Sequence, residues 1–151
     1  MRLLLDANVL LLLIVGALRP DKIGKKRLTE FRREDFDQIA GLVKAAPNLV
    51  TTPHILTEVS NHLGSGDQNL VPGGVEEFGK LVHRMEELNK AGKVAVSRPE
   101  FASLGLTDTC ILLLSDRTTT VVTIDHHLHN RLTIQGVPAI NPRHSWVPPL
   151  V

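Results

Sequence analysis

The chain of 151 residues has one cysteine, five aromatic residues and no tyrosine, and its charges nearly cancel. Each scarcity removes a class of protein. The lone Cys110 forms no intrachain disulfide and supplies no multi-cysteine zinc or iron–sulfur site, and it suits a reducing compartment. Four phenylalanines and one tryptophan are too few for an aromatic platform on which bases stack. Seventeen basic residues against sixteen acidic ones leave a formal charge of +1, so bulk charge names no partner. Long apolar runs are missing too: Val9–Leu18 is well short of the roughly 20 residues a membrane helix needs, and no membrane partner is expected.

What is present suits a globular chain. A 42% hydrophobic and 22% charged composition argues against disorder, and the length is that of about one domain, here taken as 1–151. Arg2 followed by an apolar stretch has the outline of a secretory leader. However, Asp6 and Asn8 interrupt the stretch, and no small-residue cleavage site precedes Pro20. The segment is better read as a core strand and a core helix, with a cytoplasmic location expected.

Short apolar runs alternate with helical patterns along the chain. Arg2–Leu5 reads as a buried strand, and Ala7–Leu18 as a helix apolar on nearly all sides. Phe36, Ile39, Ala40 and Val43 mark an amphipathic helix, and Asn48–Thr52 a second strand. Thr52 in the N-cap position and Pro53 at the first helical one start a helix over Pro53–Leu63. Gly64–Gly74 is loop-like. Val75, Phe78, Val82, Met85 and Leu88 predict a helix that stops near Gly92, and Val94–Val96 a third strand. Thr107–Arg117 then reads as a helix, Thr120–Ile124 as a β-branched strand, His126–Leu132 as a short helix, and Val137–Ile140 as a last strand before a proline-rich tail. Such alternation predicts an α/β layer fold around a mostly parallel sheet, a three-layer α/β/α domain.

In an open parallel sheet, ligands bind outside the carboxyl ends of the strands, near the point where strand order switches. Four acids fall toward that end. Asp6 follows the first strand and Asp125 the fourth, Asp108 opens a helix, and Glu58 lies in the second turn of the helix leaving the second strand. Taken singly, Asp6, Asp108 and Asp125 are ordinary helix caps and Glu58 a surface residue. Their convergence is what calls for another account. Clustered carboxylates repel one another, and burial raises their pKa values, unless a cation compensates. Oxygen ligands without cysteine suit Mg²⁺ or Mn²⁺, with Asp6, Glu58, Asp108 and Asp125 as candidate metal ligands. The chemistry such a site supports is attack of activated water on a phosphodiester.

The same residues carry a family resemblance. Leu3-Leu4-Leu5-Asp6-Ala7-Asn8-Val9-Leu10 resembles the opening of PIN domains, metal-dependent nucleases that include toxin ribonucleases of toxin–antitoxin pairs. Leu56-Thr57-Glu58-Val59, Leu104-Gly105-Leu106-Thr107-Asp108 and Val122-Thr123-Ile124-Asp125-His126-His127-Leu128 resemble their second, third and fourth motifs, in the same order. The similarity covers essentially the whole chain. It implies about five parallel strands with helices on both faces, and endoribonuclease activity with Mg²⁺ or Mn²⁺ that leaves 5′-phosphate and 3′-hydroxyl ends. It also implies an acidic pocket of Asp6, Glu58, Asp108 and Asp125 supported by Asn8 and Thr123, an RNA substrate, an antitoxin protein as partner, and a homodimer. Where many members carry a further acid after the fourth motif, this chain has His126, His127 and His129.

The segment Arg19–Arg33 holds seven basic and two acidic side chains, a local charge of +5. It is either a solvated connector or a contact for RNA phosphates, with Lys25, Lys26 and Arg27 the candidate RNA-binding residues. An acidic antitoxin segment would suit the same surface. His54, Glu58 and His62 recur at helical spacing, an arrangement that brings an imidazole beside the acids or is simply a polar stripe. The three histidines near Asp125 sit on one short element, and zinc would need ligands from elsewhere. Two rivals stand beside the nuclease. A haloacid-dehalogenase-type phosphatase also places an Asp after its first strand, but its usual second acid is here Asn8, and no lysine follows Lys93. A non-catalytic RNA-binding or interaction module would keep the basic run without needing four acids at one end.

Overall fold

The computed structural model describes residues 1–143; the proline-rich tail lies outside the described residues from position 144 on. Five parallel strands run in the order β3-β2-β1-β4-β5: β1 (Arg2–Leu5), β2 (Asn48–Thr51), β3 (Met85–Glu87), β4 (Thr119–Val122) and β5 (Ala139–Ile140). With its helices the sheet forms the expected α/β/α domain. β1 is central, pairing Leu4 with Val50 on one side and with Val121 on the other. Covered on both faces, its Leu3, Leu4 and Leu5 are all buried, which is why the strand is an unbroken apolar run.

α1 (Ala7–Leu18) is apolar all round for the same reason: Val9 to Val15 are buried without interruption, and α1 packs against α2 (Arg33–Ala45), α3 (Pro53–Leu63) and α4 (Gly74–His83). A Cβ at Gly16 would fall 2.5 Å from the Phe36 ring, so the missing side chain lets α1 and α2 touch. α3 begins as its sequence demands, with the Thr52 hydroxyl accepting from Ile55 N at 3.2 Å and Pro53 in the first turn.

Two expectations need correction. The helix from Val75 ends at His83 rather than near Gly92, and Met85–Glu87 is a strand beside β2, with Leu49 opposite Met85. Val94–Val96 is not a strand but part of the short helix α5 (Gly92–Val96), which buries Ala95 and leaves Val94 and Val96 exposed. The following helix α6 spans Phe101–Leu114 and starts earlier than expected, in two pieces joined at Gly105, whose φ of +80° breaks the helical path just before Thr107 and Asp108. α7 covers His126–Ile134.

The basic segment is anchored. It carries short 3-10 turns at Pro20–Lys22 and Lys26–Leu28, and it buries Leu28 and Phe31. Gly24 N donates to Leu28 O at 3.0 Å, and Lys22 Nζ reaches Leu70 O at 2.6 Å. Lys26 takes a left-handed φ of 49°, the one non-glycine residue to do so among the described residues. No helix among the described residues is long and apolar enough to cross a membrane.

Candidate active site

Strand order reverses direction at β1, whose sequence successor β2 lies to one side and β4 to the other; the carboxyl ends of β1 and β4 therefore frame a crevice. Asp6 leaves β1 at that point. It caps α1, its Oδ1 accepting from Ala7 N at 2.8 Å, while its own N–H donates to Val122 O at 3.0 Å and stays in the sheet. Its other oxygen, Oδ2, accepts from the buried Thr123 hydroxyl at 2.8 Å. Thr123 is held in turn by its N–H, which donates to Ile140 O at 3.0 Å, so β5 fixes the residue that fixes Asp6.

Asp125 follows two residues later and caps α7, its Oδ1 accepting from Leu128 N at 3.0 Å. The Thr123 hydroxyl also accepts from Asp125 N at 3.1 Å, so one side chain ties both acids to the end of β4. Glu58 comes from α3, and its Oε1 accepts from the Thr107 hydroxyl at 2.6 Å. Asp108 sits in the first turn after the Gly105 break.

All four acids, contributed by four separate stretches of chain, line one open cavity of about 270 Å³ together with Asn8 and Thr107. Burial and the nearby carboxylates of Asp6, Asp125 and Glu58 push the Asp108 carboxyl up to about 8. Burial likewise raises Asp6, against the hydrogen bonds from Thr123 and Ala7. Among the described residues, no basic side chain lines the cavity to compensate its negative charge.

Every polar lining group presents oxygen donors, a set that suits a hard divalent cation. Among the described residues, no three His, Cys, Asp or Glu side chains are closed around a point that could hold an ion. That spacing is compatible with Mg²⁺, which keeps several waters and is usually held directly by only one or two carboxylates.

The remaining candidates divide. Asn8 lines the cavity but bonds to none of its carboxylates among the described residues. Lys26 and Arg27 line an adjoining groove that also contains Asn8, and they line a second hollow with Val15 and Leu70 as well; Lys25 lies on that second hollow and not on the groove. His126 and His127 line a groove on the outer side of Asp125, and neither His54 nor His62 lines the acidic cavity. Burial, with Arg27 nearby, pushes the His62 imidazole down. Cys110 is buried, and burial raises its thiol, so it behaves as a small apolar residue. Sequence reasoning passed over Thr107. Its only signal was its place just before Asp108, and nothing local announces a partner on another helix.

Comparison with protein-family models and with curated proteins returns no match to this chain.

Proposed function

We propose that the chain is a Mg²⁺- or Mn²⁺-dependent endoribonuclease of the PIN type, acting in the cytoplasm and suited to the toxin role in a toxin–antitoxin pair. The observation that carries this reading is the sharing of one cavity by Asp6, Glu58, Asp108 and Asp125 at the carboxyl end of a parallel sheet. The donors are oxygens only, and burial together with the neighbouring carboxylates keeps Asp108 protonated up to about pH 8, a cost that a bound dication would relieve. When bound, the ion supplies activation of the attacking water and charge stabilisation on the phosphate.

The chain's own residues would divide the work. Asp6, with both oxygens engaged by Thr123 and Ala7, and Glu58, held by Thr107, are fixed in place to bind the ion or its waters. Asp125 is fixed by its cap to α7. Asp108, held neutral by burial and its neighbours in the ion-free cavity, is the carboxyl that a bound dication would ionise, and it would then accept a proton from the attacking water. Water attacks phosphorus and the P–O3′ bond breaks. The attacking water's proton leaves through Asp108 and the departing O3′ takes one from solvent water, which gives 5′-phosphate and 3′-hydroxyl ends.

The phosphatase rival is disfavoured by Asn8, which stands where its second acid would be, and by the lack of any lysine after Lys93. The deciding experiment is cleavage of single-stranded RNA by the purified chain with Mn²⁺, with and without EDTA. Cleavage is expected with the metal only, and loss of it in the Asp6→Asn and Asp108→Asn variants with the fold retained. A folded double variant cutting at the wild-type rate would falsify the reading.

A further inference from the structure

We infer that the two grooves beside the acidic cavity form a single-strand-binding track, in which Lys26 and Arg27 hold phosphate on one side and Arg143 holds it on the other. The inference rests on the ribonuclease reading and names the form of RNA and the residues that hold it. One groove, of about 430 Å³, is rimmed by Lys26, Arg27 and Thr29 over an apolar floor of Phe31 and Ile124. The second, of about 410 Å³, carries Arg143, His126 and His127 beside the carboxylates of Glu30 and Asp125, the latter also a wall of the acidic cavity. They share Asn8, Glu30 and Ile124, and Asn8 also lines the acidic cavity, so all three hollows meet at one residue. Each groove has the size of a small-ligand pocket; in the first, cations above an apolar floor match a nucleotide's phosphate and base, and in the second Arg143 is the phosphate contact.

Glu30 decides what form of RNA fits. It stands in both grooves and pairs with Arg143, Nη1 to Oε2 at 3.2 Å. A carboxylate there repels phosphate, so the backbone must keep to the cationic rims, leaving the middle to a base edge with N–H donors. A single strand can present its bases this way, whereas a duplex keeps those edges paired inside. Glu30 also competes with phosphate for Arg143, which makes the ion pair a brake on affinity. The anchoring of the Lys26–Leu28 turn by buried Leu28 and Phe31 keeps the first rim in place without ligand.

The test is anisotropy of a short fluorescein-labelled single-stranded RNA against the full chain in EDTA, across a salt series. Arg143→Gln is expected to weaken binding several-fold and to flatten the slope of log affinity against log salt by about 0.7, and the Lys26→Gln/Arg27→Gln double variant by about 1.4. Glu30→Gln is expected to tighten binding several-fold, and to do so less when Arg143 is already Gln. Since Glu30→Gln breaks the same ion pair, it keeps the idea testable if Arg143→Gln fails to fold. Unchanged slopes, weaker binding by Glu30→Gln, equal affinity for a duplex of the same length, or tighter binding of a polyglutamate peptide than of RNA each overturn the track. A chain that shows these slopes yet never cuts RNA sinks only the catalytic reading. A chain that cuts with Mn²⁺ while the slopes stay unchanged sinks only this one.

Discussion

The hydroxyl of Thr107 donates to Glu58 Oε1 at 2.6 Å, joining α6 to α3 across 49 positions of sequence. The bond does two things at once. It turns the Glu58 carboxylate into the cavity wall that Asp108 shares, and it pins the start of the helical piece after Gly105 to a neighbouring helix.

Removing it separates positioning from folding. A hydrogen bond to a charged group contributes about 1.5–3 kcal/mol, so on the proposed ribonuclease reading a Thr107→Val chain that must hold Glu58 without it is expected to lose about tenfold or more in kcat/KM. Thr107 is only partly buried, so the cost to stability should fall at the low end of that range, about 1.5 kcal/mol. Thr107→Ser restores the donor and should recover most of the rate. Steady-state RNA cleavage with a parallel thermal melt checks this; a Val variant as active as wild type rules out the positioning role.

Thr123 is the more sensitive hydroxyl. It is fully buried, donates to Asp6 and accepts from Asp125 N, so an isosteric valine strands two partners at once. Asp6 is only partly buried and Asp125 is exposed, so water can meet both partners and the expected stability loss is about 1–3 kcal/mol in all. Activity should change in a directed way as well. The Thr123 bond holds Asp6 down against burial, so its loss pushes Asp6 further up and moves the acid limb of the pH–rate profile to higher pH. Thr123→Ser should leave that limb in place. A Val variant with an unshifted limb shows that the hydroxyl serves packing alone.

How much of this was legible in the residues follows from where each signal resides. β1, α1 and α3 carry theirs locally: an unbroken Leu run, a helix with no polar face, and a Thr-Pro start. Asp6 was legible because a strand followed at once by Asp fixes the end of the sheet on which that Asp must lie, and Asp125 follows the β-branched run of β4 closely. Glu58 and Asp108 lie on helices and were legible through their place in the chain relative to those two. β3 was not legible. Met85–Glu87 is a three-residue edge strand whose two glutamates are good helix formers, and only pairing with Leu49, Val50 and Thr51 of β2 makes it a strand. Val94 and Val96 misled in the opposite sense, since their β-branched alternation is set aside once Ala95 alone is buried. The Thr107–Glu58 bond and the Glu30–Arg143 pair join residues far apart in sequence, and no periodicity records such a meeting.

The acid cavity should also make the ion-free protein less stable as pH rises. An unfolded Asp releases its proton near about 3.9, whereas folded Asp108 keeps it up to about 8. Between those values the native state binds more protons than the unfolded chain, so stability falls with rising pH through that window and levels off above it. Asp6, raised for the same cause, adds in the same direction. The limit is about 1.4 kcal/mol per pH unit for each proton retained, and less here because Asp108 faces an open cavity. In EDTA, Tm should therefore be lower at about pH 8.5 than at about pH 6 through this contribution, and Asp108→Asn should shrink the difference. Mn²⁺ or Mg²⁺ binds the ionised site and should raise Tm more at the higher pH. Calorimetry at the two pH values, with EDTA and with metal, reads all three effects. The same pH dependence in Asp108→Asn as in wild type, together with no metal-induced rise, would mean that the charges in the cavity neither repel strongly nor await a cation.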